Sequence, residues 1–183
     1  MKSFRHFIVS TIRELVFGLE DSLVSTLGTI TGIAIGTQST YVVILSGLVL
    51  IAAESTSMAA GSYLSSRSAE DTRVEEGKKI GTKYVVEKGH PIRGAGVMLL
   101  SYILGGFVPL APYFFLSTQQ ALLPSVLFTV VTLFLVGVWS SSYTRRSRMR
   151  SGFEMVIISV SAALIGYLIG LLVNHYFGVT VSV

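Results

Sequence analysis

Three acidic residues stand inside long apolar stretches of this sequence, Glu20 and Asp21 in one and Glu54 in another, and Met58 follows Glu54 in the same stretch. On a helix, positions i and i+4 share a face, so the Glu54 carboxylate and the Met58 thioether would be presented together. Carboxylate oxygens bind hard cations and thioether sulfur binds softer ones, so the mixture favours a borderline transition metal such as Fe2+ over Ca2+ or Mg2+. A desolvated carboxylate can also trade a metal ion for a proton, because burial disfavours its charged form. The sequence has no Cys and no His within these stretches. Disulfides, thiolate sites and typical zinc or copper centres are therefore not expected.

These side chains need elements to hold them, and composition points to membrane-spanning helices. Of 183 residues, 51% are hydrophobic and only 13% charged, with a mean hydropathy of +0.68. A chain this small cannot bury so much apolar surface in a single core, so lipid is the expected solvent. Five segments are long enough to cross a bilayer, at about 15–36, 41–64, 95–116, 122–139 and 155–175, with a loop at 65–94. The whole chain, 1–183, reads as one transmembrane domain of all-α class. The start, MKSFRHFIVSTIREL, is not expected to be a signal peptide, because its apolar run is short and no small-residue cleavage site follows.

The net charge of +4 and a pI near 9.5 suit a membrane surface rather than nucleic acid, because the basic residues alternate between breaks. Lys2, Arg5 and Arg13 precede the first span, Arg67 to Arg93 fill the second break, and Arg145, Arg146, Arg148 and Arg150 fill the last. The first and third breaks hold none. Basic loops stay in the cytoplasm, which predicts five spans with the N-terminus inside and the C-terminus outside.

An ionisable group inside a span is expensive and asks for a reason. In the first span Asp21, Ser25, Gly28, Gly32 and Gly36 fall within about 80° of one another, which turns Asp21 to a packed face. In the second, Gly47, Glu54, Ser57, Met58, Gly61 and Ser65 form a comparable stripe. Packing of the two small-residue faces would bring Asp21, Met58 and Glu54 to one site roughly 9 Å deep, open to the cytoplasm. Glu20 points about 100° away and is either a further metal ligand or a partner for a cytoplasmic Arg or a second copy. Beyond the second span, Glu70, Asp71, Glu75 and Glu76 lie on an expected helical extension and form a candidate cytoplasmic metal entrance. A self-paired solvated face is the competing reading. Pro109 and Pro112, beside Gly105 and Gly106, are expected to break or bend the third span into a flexible outer end.

At these residues the chain resembles the vacuolar iron transporter family. The likeness is carried by GLEDSLVST from Gly18, AESTSMAAGSYL from Ala53, GGFVPLAPYFF from Gly105 and a Gly-rich fifth span. The resemblance implies exchange of cytosolic Fe2+, and often Mn2+, for protons, with Asp21 and Met58 lining an ion path at a homodimer interface. Two departures stand out. Plant and parasite members of the family often carry a glutamate where this chain has Leu50, and they insert a three-helix cytoplasmic domain for which the 65–94 loop has no room. The chain thus looks like a short-form member.

The expectation is a homodimeric exporter of Fe2+ or Mn2+ driven by protons, with no permanently bound cofactor and no enzymatic activity. Its partners would be divalent ions, protons and lipid, in the plasma or inner membrane of a prokaryote or the vacuolar-type membrane of a eukaryote. The rival class is a scaffold or anchor subunit whose buried acids only orient helices.

Overall fold

The computed structural model describes residues 2–80, 90–142 and 147–177, and among them there is helix and no strand. The helices are α1 (Lys2–Thr37), α2 (Thr40–Ile80), α3 (Pro91–Leu110), α4 (Thr118–Ser141) and α5 (Arg148–Phe177), with a 3-10 turn at Ala111–Phe114 after α3. The second span is thus the inner part of one long helix that runs on through 65–80. The remainder of the expected loop, 81–89, lies outside the described residues.

The protein is an all-α, multi-pass membrane protein. Large apolar side chains such as Leu104, Leu127, Leu135, Ile157 and Leu168 point outward, while small residues and hydroxyls share the interior with buried Leu, Ile and Tyr side chains. Ser101 and Thr129 are buried and donate to the Val97 and Ser125 carbonyl oxygens on their own helices, at 2.6 and 2.8 Å. That satisfies the hydroxyls where no water is at hand. α2 through α5 are each long and apolar enough to cross a membrane. α1 spans 36 residues, but Glu20 and Asp21 interrupt its apolar stretch. It tolerates them because it is the central helix, contacted by α2, α3, α4 and α5.

Helix directions follow from the contacts. A two-residue turn reverses α1 into α2, with Gln38 in the left-handed region at φ 52° and the Ser39 carbonyl oxygen accepting from Val43 N–H. Thr40 and Thr118, which open α2 and α4, share a hydrogen bond of 2.8 Å at one end of the bundle. At the opposite end Gly137 of α4 lies against Gly152 of α5. Arg13, Arg67, Arg93 and Arg150 therefore all stand at that second end. One apolar core, Ile30, Ala34, Val43, Ile51, Leu110, Tyr113 and Ala121, closes the Thr40 end. A second, of Leu23, Leu133 and Met155, joins α1 to α4 and α5.

Two packing expectations change. The Gly28, Gly32 and Gly36 run does not meet α2; it packs on Ala162, Gly166 and Gly170 of α5. The row keeps within about 60° of Asp21 around α1, so its angular position does not name its partner; the crossing of α1 over α5 farther along the helix does. The other concerns the outer end of α3. The helix continues through Pro109 and then tightens into the 3-10 turn, and Ser125 donates to the Pro109 carbonyl oxygen at 2.7 Å. Gly105 and Gly106 are contact points rather than hinges, seated against Ser22 of α1 and Ile51 of α2.

Candidate functional site

Three contacts set the register of α1, α2 and α3. Near the arginine end, Gly94 of α3 lies beside Glu14 of α1 and Ser62 of α2, so that an added methyl would meet them at 3.5 and 3.6 Å. Farther in, Gly106 of α3 faces Ile51 of α2 and Thr26 of α1, and Gly47 of α2 faces Ile30 of α1 and Leu110 of α3. With α1 and α2 antiparallel, these contacts place Asp21 level with Glu54 and Ser55, and Tyr102 of α3 at the same height.

The carboxylates of Asp21 and Glu54 are half-buried and close enough that the charge of Glu54 acts on Asp21. Both also act on the Tyr102 hydroxyl. Tyr102 is 0% exposed, and its hydroxyl shares a hydrogen bond of 2.8 Å with that of Ser25, in which either group can donate. Glu20 is half-buried and sits beside Asp21 in the chain, near enough to be influenced by its charge. Between Glu14 and Ser66, and again between Gly94 and Thr144, the sequence has no Lys or Arg. A pair of like charges in this setting finds no Lys or Arg within those stretches to offset it.

Met58 is half-buried one turn from Glu54, on the same continuous helix. The rest of the expected α2 stripe divides. Gly47 is buried against Leu110, while Ser57, Gly61 and Ser65 are exposed, as are Ala53 and Ala60 beside them, and an added methyl at Gly61 would meet nothing within 4 Å. Glu54 and Met58 thus stand at the border between the bundle and an open face of small residues. Among the described residues no three His, Cys, Asp or Glu side chains converge on a metal position within one copy of the chain.

Of the candidate entrance residues, Glu70 is half-buried and Asp71 and Glu75 are exposed on the α2 extension. The Glu76 side chain lies outside the described residues. The continuous helix makes Asp71 and Glu75 i, i+4 neighbours, and nothing among the described residues joins them to a third acid.

Three residues near the site escaped the sequence reading. Glu14 lies two turns before Asp21 and holds one carboxyl oxygen buried without a hydrogen-bond partner; its i, i+7 spacing to Asp21 was the available signal. Met98 is 5% exposed and aims its sulfur into the gap left by Gly18, 3.1 Å from where a methyl would stand. Tyr102 gave no sequence signal, since an isolated Tyr in a span reads as packing.

Comparison with known proteins adds an independent line. The family model described as the VIT family matches residues 12–84 and 78–171. The chain is similar to vacuolar iron transporter 1 of Arabidopsis thaliana, 24% identical over 93% of this chain and 90% of the relative. It is 22% identical to vacuolar iron transporter 1 of Tulipa gesneriana over 89% and 87%. An uncharacterized protein of Methanocaldococcus jannaschii is 26% identical over 87% and 88%. The Arabidopsis alignment, at 224 positions, is longer than this chain of 183 residues, so the plant protein carries inserted residues that this one lacks.

Proposed function

This chain belongs to the VIT family, and we propose that it is a homodimeric transporter that moves Fe2+ or Mn2+ out of the cytoplasm in exchange for protons. The observation that carries the reading is the Asp21 and Glu54 pair: two half-buried carboxylates at one height, the charge of Glu54 reaching Asp21, in a stretch from Glu14 to Ser66 without Lys or Arg. An unpaired like-charged couple in a membrane bundle is costly to keep, and a divalent cation or a proton relieves the cost. Met58 adds a soft donor suited to Fe2+. The plant relatives are named as vacuolar iron transporters, which points to the same cargo.

In this reading α1 also crosses the membrane, as the first of five spans, shielded from lipid by its neighbours, and the end bearing Arg13, Arg67, Arg93 and Arg150 faces the cytoplasm. The open face of α2, with Ala53, Ser57, Ala60 and Gly61, receives a second copy. Close approach of small-residue faces is a standard way for helices to associate in lipid. The ligand set, two acids and a thioether from one copy, is then completed across the interface. Glu20 is a reserve ligand or an interface contact.

The test is flux in liposomes holding purified protein and a pH-sensitive dye. Inward metal movement coupled to outward proton movement supports the transporter. Liposomes in which neither ion moves would leave the scaffold reading.

A further inference from the structure

We propose that the start of α5 is a docking surface for an anionic phospholipid, with Arg148 and Arg150 holding the headgroup phosphate and the apolar side chains beyond them lying along its acyl chains. The inference stands on the membrane character of the chain and is independent of the transport reading. Positive charge is unevenly distributed in the sequence. Residues 145–154 carry four Arg against one Glu, a net of +3 in a chain whose total is +4. In 65–94, by contrast, seven Lys and Arg are offset by five acids. Holding a loop in the cytoplasm needs charge alone, which Lys and Arg supply alike. Every base in 145–150 is Arg, whose planar fork matches phosphate oxygens two at a time.

The geometry supplies a seat for that phosphate. Ser147, Arg150, Ser151 and Glu154 follow one another at i, i+3, i+4 and i+7, so they share one face, and they line a shallow cavity of about 330 Å³. Arg148 is exposed beside it. Arg150 Nε donates to Glu154 Oε1 at 3.0 Å, but the two side chains are 82% and 47% exposed. An exposed i, i+4 pair of this kind is weak, so a phosphate can displace Glu154 from the guanidinium. Met149, Phe153 and Ile157 project outward at i+4 intervals from the same turns. Lipid-facing side chains directly beyond the arginines put the guanidiniums at headgroup height, where basic residues recognise anionic lipids. A free phosphate would use the cavity alone, whereas a phospholipid uses both the cavity and the apolar face.

Trp139 is the single Trp of the sequence, and it stands at this corner, two residues past Gly137, which lies against Gly152 of α5. Its fluorescence therefore reports the lipid bound there. The protein is reconstituted in phosphatidylcholine vesicles containing a small fraction of acyl-brominated lipid, either phosphatidylglycerol or phosphatidylcholine, and quenching is compared. Brominated phosphatidylglycerol is expected to quench the wild type more strongly, with an association preference of about fivefold for each arginine engaged. Replacing both arginines, Arg148→Gln with Arg150→Gln, should bring the two lipids to equal quenching at an unchanged unfolding temperature, because both side chains are exposed. Glu154→Gln removes the competing carboxylate and should strengthen the preference. Added inorganic phosphate should leave the quenching as it was. Equal quenching of the wild type by both lipids, a preference that survives the double arginine variant, or displacement of the lipid by inorganic phosphate overturns the proposal.

Discussion

Gly32 of α1 and Gly166 of α5 meet backbone to backbone: a methyl on Gly32 would come within 2.8 Å of the Gly166 carbonyl oxygen. The central helix is therefore seated on α5 through its glycines, while nearer the arginine end Gly18 and Ser22 of the same helix meet α3. Gly32→Ala forces this seam apart and should cost about 1 to 3 kcal/mol. Gly61→Ala, on the open face of α2, should cost nothing within the single chain and gain a little from helix propensity. Thermal unfolding in detergent, with both variants beside the wild type, separates these outcomes; equal losses would mean that the α1 and α5 glycines are not in contact.

If α2 receives a second copy, its open face is sensitive to bulk. Gly61→Leu should raise the monomer fraction measured by size exclusion with light scattering. The unfolding temperature of the monomer should stay put, because that side chain has open space in one chain. A variant as dimeric as the wild type would place the interface elsewhere.

Asp21→Asn preserves size while removing the charge that faces Glu54. Metal flux should fall to background while expression and oligomeric state persist, since charge repulsion is relieved rather than created. Wild-type flux in this variant would refute the central assignment.

Glu54 and Met58 share a helix face but have different chemistry, and the two substitutions should fail differently. Met58→Leu conserves volume, with a stability cost under about 1.5 kcal/mol. As a ligand deletion it should weaken Fe2+ transport more than Mn2+ transport, because manganese gains less from sulfur. Glu54→Gln should weaken both ions and flatten the dependence of flux on the pH gradient, since it removes a charge and a proton acceptor together. Parallel flux measurements with both ions check the pair, and full activity in Glu54→Gln would exclude it from the path.

The placement of Arg13, Arg67, Arg93 and Arg150 at one end predicts the side on which that end sits. A cytoplasm-only reporter fused after Val183 should be silent, and one fused before Met1 should be active. Activity at both ends would require an even number of crossings.

The helical class and the membrane environment were legible in residue order alone, because an apolar stretch of span length with no water to satisfy its backbone must be a helix. The continuation of α2 into 65–80 was also legible, from charged residues at helical spacing. The pairing of faces was not. The row Gly28, Gly32 and Gly36 announces that some helix comes close, but a glycine has no side chain to name its partner. Only the packed bundle assigned that row to α5. Periodicity placed Asp21 on a packed side and Glu54 beside Met58, both of which are local properties. That Tyr102, far away in sequence, stands at the same height with its hydroxyl on Ser25 depends on the register of α3 against α1. That register is set by Gly18, Gly94, Gly105 and Gly106 meeting specific side chains across the interface, and no local pattern encodes such a meeting.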